Sequence, residues 1–144
     1  MSWDTERSGA QKGGGGLTLI YKDSLMVHRW TPPVSPHHKY VEKERQWLVI
    51  KHGEQKCAVL HCYIACQEDT DRFLAWNEDL FTLLRDEALI LKQDGFIILA
   101  MGDFNARVGQ IEGLENNVPG VNRNQPMFME FITEVNLGMP SYVR

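Results

Sequence analysis

Cysteine is scarce. Cys57, Cys62 and Cys66 are the only three, and no two of them form a Cys-x-x-Cys pair. An odd count without that pairing excludes a disulfide framework and a cysteine-based zinc site. It reads as buried free thiols in a reducing compartment. Long apolar runs are missing as well: the longest, Phe96 to Met101, falls far short of the roughly 20 residues that span a bilayer. Met1 to Gln11 is polar and holds no apolar stretch, so no signal peptide is read there. These absences predict an intracellular protein, nuclear or cytoplasmic, not secreted and with no membrane partner. Positive charge is not in excess either. The formal net charge is -4, which argues against a protein that coats nucleic acid by charge alone and leaves room for an enzyme that gathers carboxylates in a cleft. Finally, Gly13-Gly14-Gly15-Gly16 is not closed by a Lys-Ser/Thr pair or followed by a helix pattern, so it is not a phosphate-cradling loop.

What is present is ordinary for one packed domain: 144 residues, 43% hydrophobic and 24% charged. No internal repeat is visible. Residues 1–12 are polar and read as a loose N-terminal segment. The glycines then feed Leu17 to Tyr21, a β-type run. Thr31 to His38 contains three prolines and reads as a loop. The adjacent His37 and His38 point opposite ways on extended chain and are poor co-ligands. Arg45 to Lys51 and Lys56 to Ala65 are two β-type runs joined through His52-Gly53-Glu54-Gln55, which predicts a hairpin. The second run is almost continuously apolar, as a central strand covered on both faces would be.

Asp71 to Gln93 reads as a helix. Phe73, Trp76, Leu80, Leu84, Ala88 and Leu91 recur at steps of three and four, one face of a 3.6-residue period. Asp69, Thr70 or Asp71 can cap its start and Gly95 can end it. Phe96 to Met101 then reads as a short strand, Gly102 to Gly109 as a loop and Gln110 to Gln125 as irregular. A second helix is predicted over Pro126 to Asn136, with Asn124 or Gln125 at its cap, Pro126 in its first turn, and Phe128, Phe131, Ile132 and Val135 on one face. The predicted fold class is α/β, with mixed β-sheets flanked by helices in a layered sandwich.

The segment that carries chemistry is Met101-Gly102-Asp103-Phe104-Asn105-Ala106. A buried strand delivers a carboxylate and an amide two positions apart. On extended chain these share one side, with Phe104 packing behind. Phosphodiester hydrolysis needs a hard cation, an oriented water and donors for the developing phosphate charge. A carboxylate serves the cation or the water. An amide NH₂ donates to phosphate oxygen without adding negative charge, and Gly102 allows close approach of backbone or substrate. The competing reading of Asp-x-Asn is a turn. An EF-hand loop fails because Arg107 occupies a ligand position.

Gly102-Asp103-Phe104-Asn105-Ala106 after a short apolar strand resembles the active-site motif of the endonuclease/exonuclease/phosphatase superfamily, the DNase I-like fold. The likeness is greatest to endonuclease domains of LINE-type (non-LTR) retrotransposons. Gly13 to Ile20 resembles that family's glycine-rich turn into a strand, Val59 to Ile64 the strand ending in its active-site tyrosine, and Phe128 to Leu137 the helix after the loop. The resemblance covers residues 13–137, with 138–144 as a tail. It implies a Mg²⁺-dependent endonuclease acting on DNA, in a partial DNase I-like sandwich. Asp103 would be catalytic, acting on the attacking water and as a metal ligand. Asn105 and Tyr63 would be catalytic and substrate-binding residues that contact the scissile phosphate. His61, two residues before Tyr63, could share its face, although a structural role is the simpler reading.

Three departures qualify that expectation. The family's metal-binding Glu and substrate-contacting Asn belong on strands before the glycine-rich turn, and the short polar stretch before Gly13 places Glu6 in no such strand. No Ser-Asp-His motif occurs in the chain. Ala65 and Cys66 follow Tyr63 where many members have Pro and a polar contact. The expectation is therefore a domain lacking flanking segments and inactive alone, or completed by a protein partner. Two alternatives remain: a non-catalytic interaction module on the same fold, and a phosphatase of the superfamily acting on a small phosphorylated molecule.

Overall fold

Gly53 adopts φ +59°, the left-handed conformation that two-residue hairpin turns require and glycine supplies without strain. It joins β4 (Arg45–His52) to β5 (Gln55–Tyr63), with His52 and Gln55 directly paired. The hairpin is thus as expected, with a tighter turn and a β5 that stops at Tyr63. The computed structural model describes residues 2–6, 16–33, 41–65, 71–107 and 122–138. The sequence expectations for Gly13 to Gly15, His37, His38, Cys66, Asp69, Thr70 and 110–120 lie outside the described residues. β3 (Val27–Arg29) adds antiparallel to β4, and β6 (Ile97–Asp103) adds parallel to β5. The resulting four-stranded order is β3-β4-β5-β6. β5 is central, as its apolar run predicts.

Separately, β1 (Ser2–Glu6) pairs antiparallel with β2 (Gly16–Ile20). Residues 2–6, read as part of a loose segment, thus form a strand, while residues 7–12 lie outside the described residues. Glu6, assigned to no strand from sequence, closes β1 opposite Gly16. The polar, non-alternating sequence of β1 gave no β signal because its ladder depends on a partner beyond the glycines.

Helix α1 (Asp71–Gln93) links β5 to β6. A parallel pair requires such a crossover. Leu80, Leu84, Ala88 and Leu91 are buried on its inner face, as their spacing predicts, together with Asn77, Phe81 and Glu87. They pack on the sheet face carrying Trp47, Val49, Ala58, Leu60 and Cys62. The helix ends at Gly95, φ +83°, where the N–H groups of Gly95 and Phe96 return to the carbonyls of Lys92 and Leu91 at 2.9 and 3.0 Å. That nested pair satisfies carbonyls the helix would otherwise orphan. Glu87 is fully buried, which sequence gave no sign of. Its carboxylate accepts from Arg45 Nη2 at 2.6 Å, from Arg45 Nε at 2.8 and 2.9 Å, and from Trp47 Nε1 at 2.7 Å. A buried charge is tolerable only with such complete pairing.

Helix α2 (Asn124–Glu134) packs beside α1 through Phe131 against Phe81, ring centroids 6.3 Å apart. Its bounds correct the predicted ones by two residues at each end. Arg123, not Asn124 or Gln125, occupies the cap position, without a side-chain cap hydrogen bond. The reason is that Asn124 turns inward, as described below. Pro126 does fall in the first turn. Asn136, φ +54°, ends the helix as Gly95 ends α1, with Asn136 and Leu137 N–H bonding to the carbonyls of Thr133 and Ile132.

The other sheet face is covered unevenly. Leu48 and Val59 are buried there, and Gln46 Nε2 donates to the Leu17 carbonyl of β2 at 2.6 Å. On β6 the same face is open: Ile97, Leu99 and Met101 are 69%, 49% and 40% exposed. The architecture is mixed α/β, with helices on one face of a mixed sheet. Among the described residues no helix is long and apolar enough to cross a membrane.

Candidate functional site

Parallel pairing brings the C-terminal ends of β5 and β6 together, and the residues at those ends are Tyr63 and Asp103, in register with one another. The ladder continues one step further, since Ile64 N–H donates to the Asp103 carbonyl at 2.8 Å. Asp103 therefore belongs to the strand, and Gly102 with it. This corrects the placing of both in a loop. Gly102 explains how the strand persists. At φ +140°, a Cβ on this residue would collide with the Cys62 carbonyl oxygen. Only glycine fits, and the group that approaches it is backbone of the neighbouring strand.

Asp103 is exposed. One carboxylate oxygen accepts from Asn105 N–H at 3.0 Å, the local turn that an Asp-x-x sequence favours. The chain leaves the extended conformation at once, since Asn105 has φ +44°. The expectation that Asp103 and Asn105 share a side of an extended strand is corrected accordingly. Instead, Asn105 Nδ2 donates to the Ile64 carbonyl at 2.7 Å, so its amide lies across the end of β5 beside Tyr63. One amide proton is committed there, and the group has a second. Phe104 packs behind as predicted, its ring 5.1 Å from Phe128 and 6.2 Å from Phe131.

Beneath these residues lies a set of asparagines that sequence reasoning missed. The Asn105 carbonyl accepts from Asn122 Nδ2 at 2.7 Å and from Asn124 Nδ2 at 3.0 Å. Asn122 Oδ1 accepts from Arg107 N–H at 3.0 Å. Asn77 Nδ2 donates to the Ala65 carbonyl and to Asn124 Oδ1, both at 2.9 Å. Side-chain amides thus satisfy the irregular backbone after both strands, which would otherwise be buried unpaired. The available signal was Asn77 on the apolar stripe of α1, where a polar residue needs a partner.

Tyr63 is half-buried and shares its sheet face with His61, which pairs in register with Met101. His61 Nδ1 is buried without a hydrogen-bond partner. Burial lowers the imidazole pKa from its usual 6.5, favouring the neutral ring. The Cys62 thiol is pushed up strongly, first by burial and then by the charge of Asp103, and burial raises Cys57 too. Neither is a reactive thiolate at neutral pH.

A magnesium ion takes several oxygen ligands, although waters and substrate phosphates can supply some of them. Asp103 supplies one carboxylate. Among the described residues, no group of three or more His, Cys, Asp or Glu could hold a metal ion. The described side chains do not make up a complete metal site. Compared with known proteins, the chain matches no family model, no curated protein and no solved structure.

Proposed function

We propose that this chain carries the phosphate-contacting part of a metal-dependent phosphodiester hydrolase of the endonuclease/exonuclease/phosphatase type, with DNA as substrate. One observation carries the reading: Tyr63 and Asp103 stand in register at the ends of adjacent parallel strands, with the Asn105 amide hydrogen-bonded to the carbonyl of Ile64, the residue after Tyr63. Ligand sites in α/β sheets lie at the carboxyl ends of their strands. In this reading Asp103 orients the attacking water. Asn105 gives its second amide proton to a phosphate oxygen, and the Tyr63 phenol donates to another. Their support is rigid, because Phe104 is anchored on α2 and the asparagines hold the backbone. No step is assigned to a metal, since among the described residues no group with Asp103 could hold one. For the same reason the isolated chain is proposed to be inactive unless further ligands are supplied.

The test is nicking of supercoiled plasmid by the purified, folded chain with Mg²⁺, beside EDTA and Asp103→Ala controls. Magnesium-dependent nicking lost in Asp103→Ala establishes the hydrolase and shows that other groups complete the metal site. Nicking that survives Asp103→Ala rejects the assignment. No nicking by the folded chain rejects autonomous catalysis and leaves either a domain that needs further metal ligands or the second reading, a non-catalytic interaction module. That reading has its own support in the exposed apolar side chains of Ile97, Leu99 and Met101.

A further inference from the structure

Asn105 is a left-handed residue, φ +44°, and both peptide groups that flank its Cα are held by side chains. Its N–H donates to Asp103 Oδ1 at 3.0 Å. Its carbonyl accepts from Asn122 Nδ2 at 2.7 Å and from Asn124 Nδ2 at 3.0 Å, which occupies both lone pairs. A sparsely populated backbone conformation persists where the surroundings over-determine it, and such residues cluster at ligand sites.

The type of residue at Asn122 is decided by two backbone groups at once. Its Nδ2 donates to the Asn105 carbonyl, and its Oδ1 accepts from the Arg107 N–H at 3.0 Å. A side-chain amide carries a donor and an acceptor side by side; a carboxylate lacks the donor. Asn122 thus pairs with the chain after β6 as a neighbouring strand would. Its own backbone is tied to α2, since the Asn122 carbonyl accepts from Gln125 N–H at 3.0 Å. Asn124 does not duplicate it. The Asn124 amide is divided between the carbonyls of Ala65 and Asn105, at 3.3 and 3.0 Å.

We infer that Asn122 is a positioning residue of the candidate site. By fixing the Asn105 carbonyl it sets the left-handed turn, and the turn sets two further things. It aims the Asn105 side chain at the Ile64 carbonyl, 2.7 Å away, so that the second amide proton is held in one place. It also keeps the Asn105 N–H against Asp103 Oδ1, which orients the carboxylate. Asn122 touches no substrate and acts through Asn105. The inference rests on the reading that Asn105 meets a phosphate oxygen.

The test compares the full wild-type chain with Asn122→Ala and Asn122→Asp by NMR relaxation, and adds dimethyl phosphate, a simple phosphate diester, followed at the Asn105 side-chain amide. Asn122→Asp keeps the acceptor for Arg107 and loses the donor to Asn105. Asn122 is only half-buried, so both variants are expected to fold, with unchanged order at Leu60 and Leu84. The expected order parameter of the Asn105 N–H is about 0.85 in the wild type and below about 0.6 in both variants. Dimethyl phosphate should bind Asn122→Ala more weakly, on the order of tenfold. A mobile Asn105 in the wild type overturns the inference, whether or not the variants fold. So does an Asn105 as rigid in Asn122→Asp as in the wild type, or an Asn122→Ala chain with a mobile Asn105 that binds as tightly as the wild type. A wild-type amide that is rigid but unshifted by dimethyl phosphate rejects the phosphate reading, and with it the role of Asn122 there. The order parameters separate that failure from a loss of the fastening.

Discussion

Asn77, on the buried face of α1, donates to Oδ1 of Asn124, the first residue of α2, at 2.9 Å. Asn124 in turn donates to the Asn105 carbonyl. Two helices and the end of β6 thereby meet through side-chain amides. Each member relieves the others of an unpaired polar group, so the cost of removing one includes the groups it leaves behind. Asn124→Ala is expected to lower stability by about 1–3 kcal/mol. Adding Asn77→Ala should cost less than the two single changes summed. Urea denaturation of the two single variants and the double variant measures both quantities; strict additivity would show that the amides are not coupled.

The Arg45–Glu87 pair gives a second expectation. Glu87→Leu leaves the guanidinium buried without a carboxylate, its remaining hydrogen bond being to the Glu42 carbonyl, with a loss of about 3–5 kcal/mol. Replacing both, as Arg45→Met with Glu87→Leu, should restore most of that loss, since the desolvation cost of both charges disappears. Thermal melts of the three variants read the contrast. A double variant as unstable as Glu87→Leu would place the defect elsewhere, for instance in the freed Trp47 N–H.

At Gly102 the expected effect is steric. Any Cβ meets the Cys62 carbonyl, and backbone cannot step aside as a flexible side chain does. Gly102→Ala should therefore destabilise by about 2 kcal/mol or more. Gly138→Ala, where nothing lies within 4 Å, should change stability little. Equal denaturation midpoints for the two variants would remove the close approach from the account.

His61 predicts a pH dependence. Its folded pKa lies below the ordinary 6.5 because burial disfavours the imidazolium. Over the window between the folded value and 6.5 the unfolded chain binds more protons. Stability contributed by the neutral ring is thus full above that window, declines as pH falls through it, and stops declining below the folded value. Urea midpoints across this range should show a decline in the wild type that is reduced in His61→Gln. An identical decline in both would assign it to other groups.

Much of the scaffold was legible because it rests on local periodicity. The stripe Leu80, Leu84, Ala88 and Leu91 specifies the inner face of α1 whatever packs on it, and Gly53 and Gly95 mark chain reversals by their own conformational freedom. The pairing of Arg45 with Glu87, 42 residues apart, was illegible, because a charged residue reads as solvated until its partner is known. β1 was missed for a related reason: a ladder needs two strands, and only one of them was apolar. In the candidate site, Asp103, Asn105 and Tyr63 were singled out by residue type and resemblance. Their arrangement depended on the turn at Asn105, where a left-handed residue ends the period of two on which the sequence argument relied.

The hydrogen-only side chain of Gly102 also works as a keyway. Slide β6 by one position along β5 and Met101 or Asp103, each with a Cβ, would have to take up the φ +140° backbone in which a Cβ meets the Cys62 carbonyl. The same slide would exchange the two faces of the strand and turn the carboxylate toward the helices. One missing carbon thus indexes the two strands against each other and holds Asp103 on the face it shares with Tyr63.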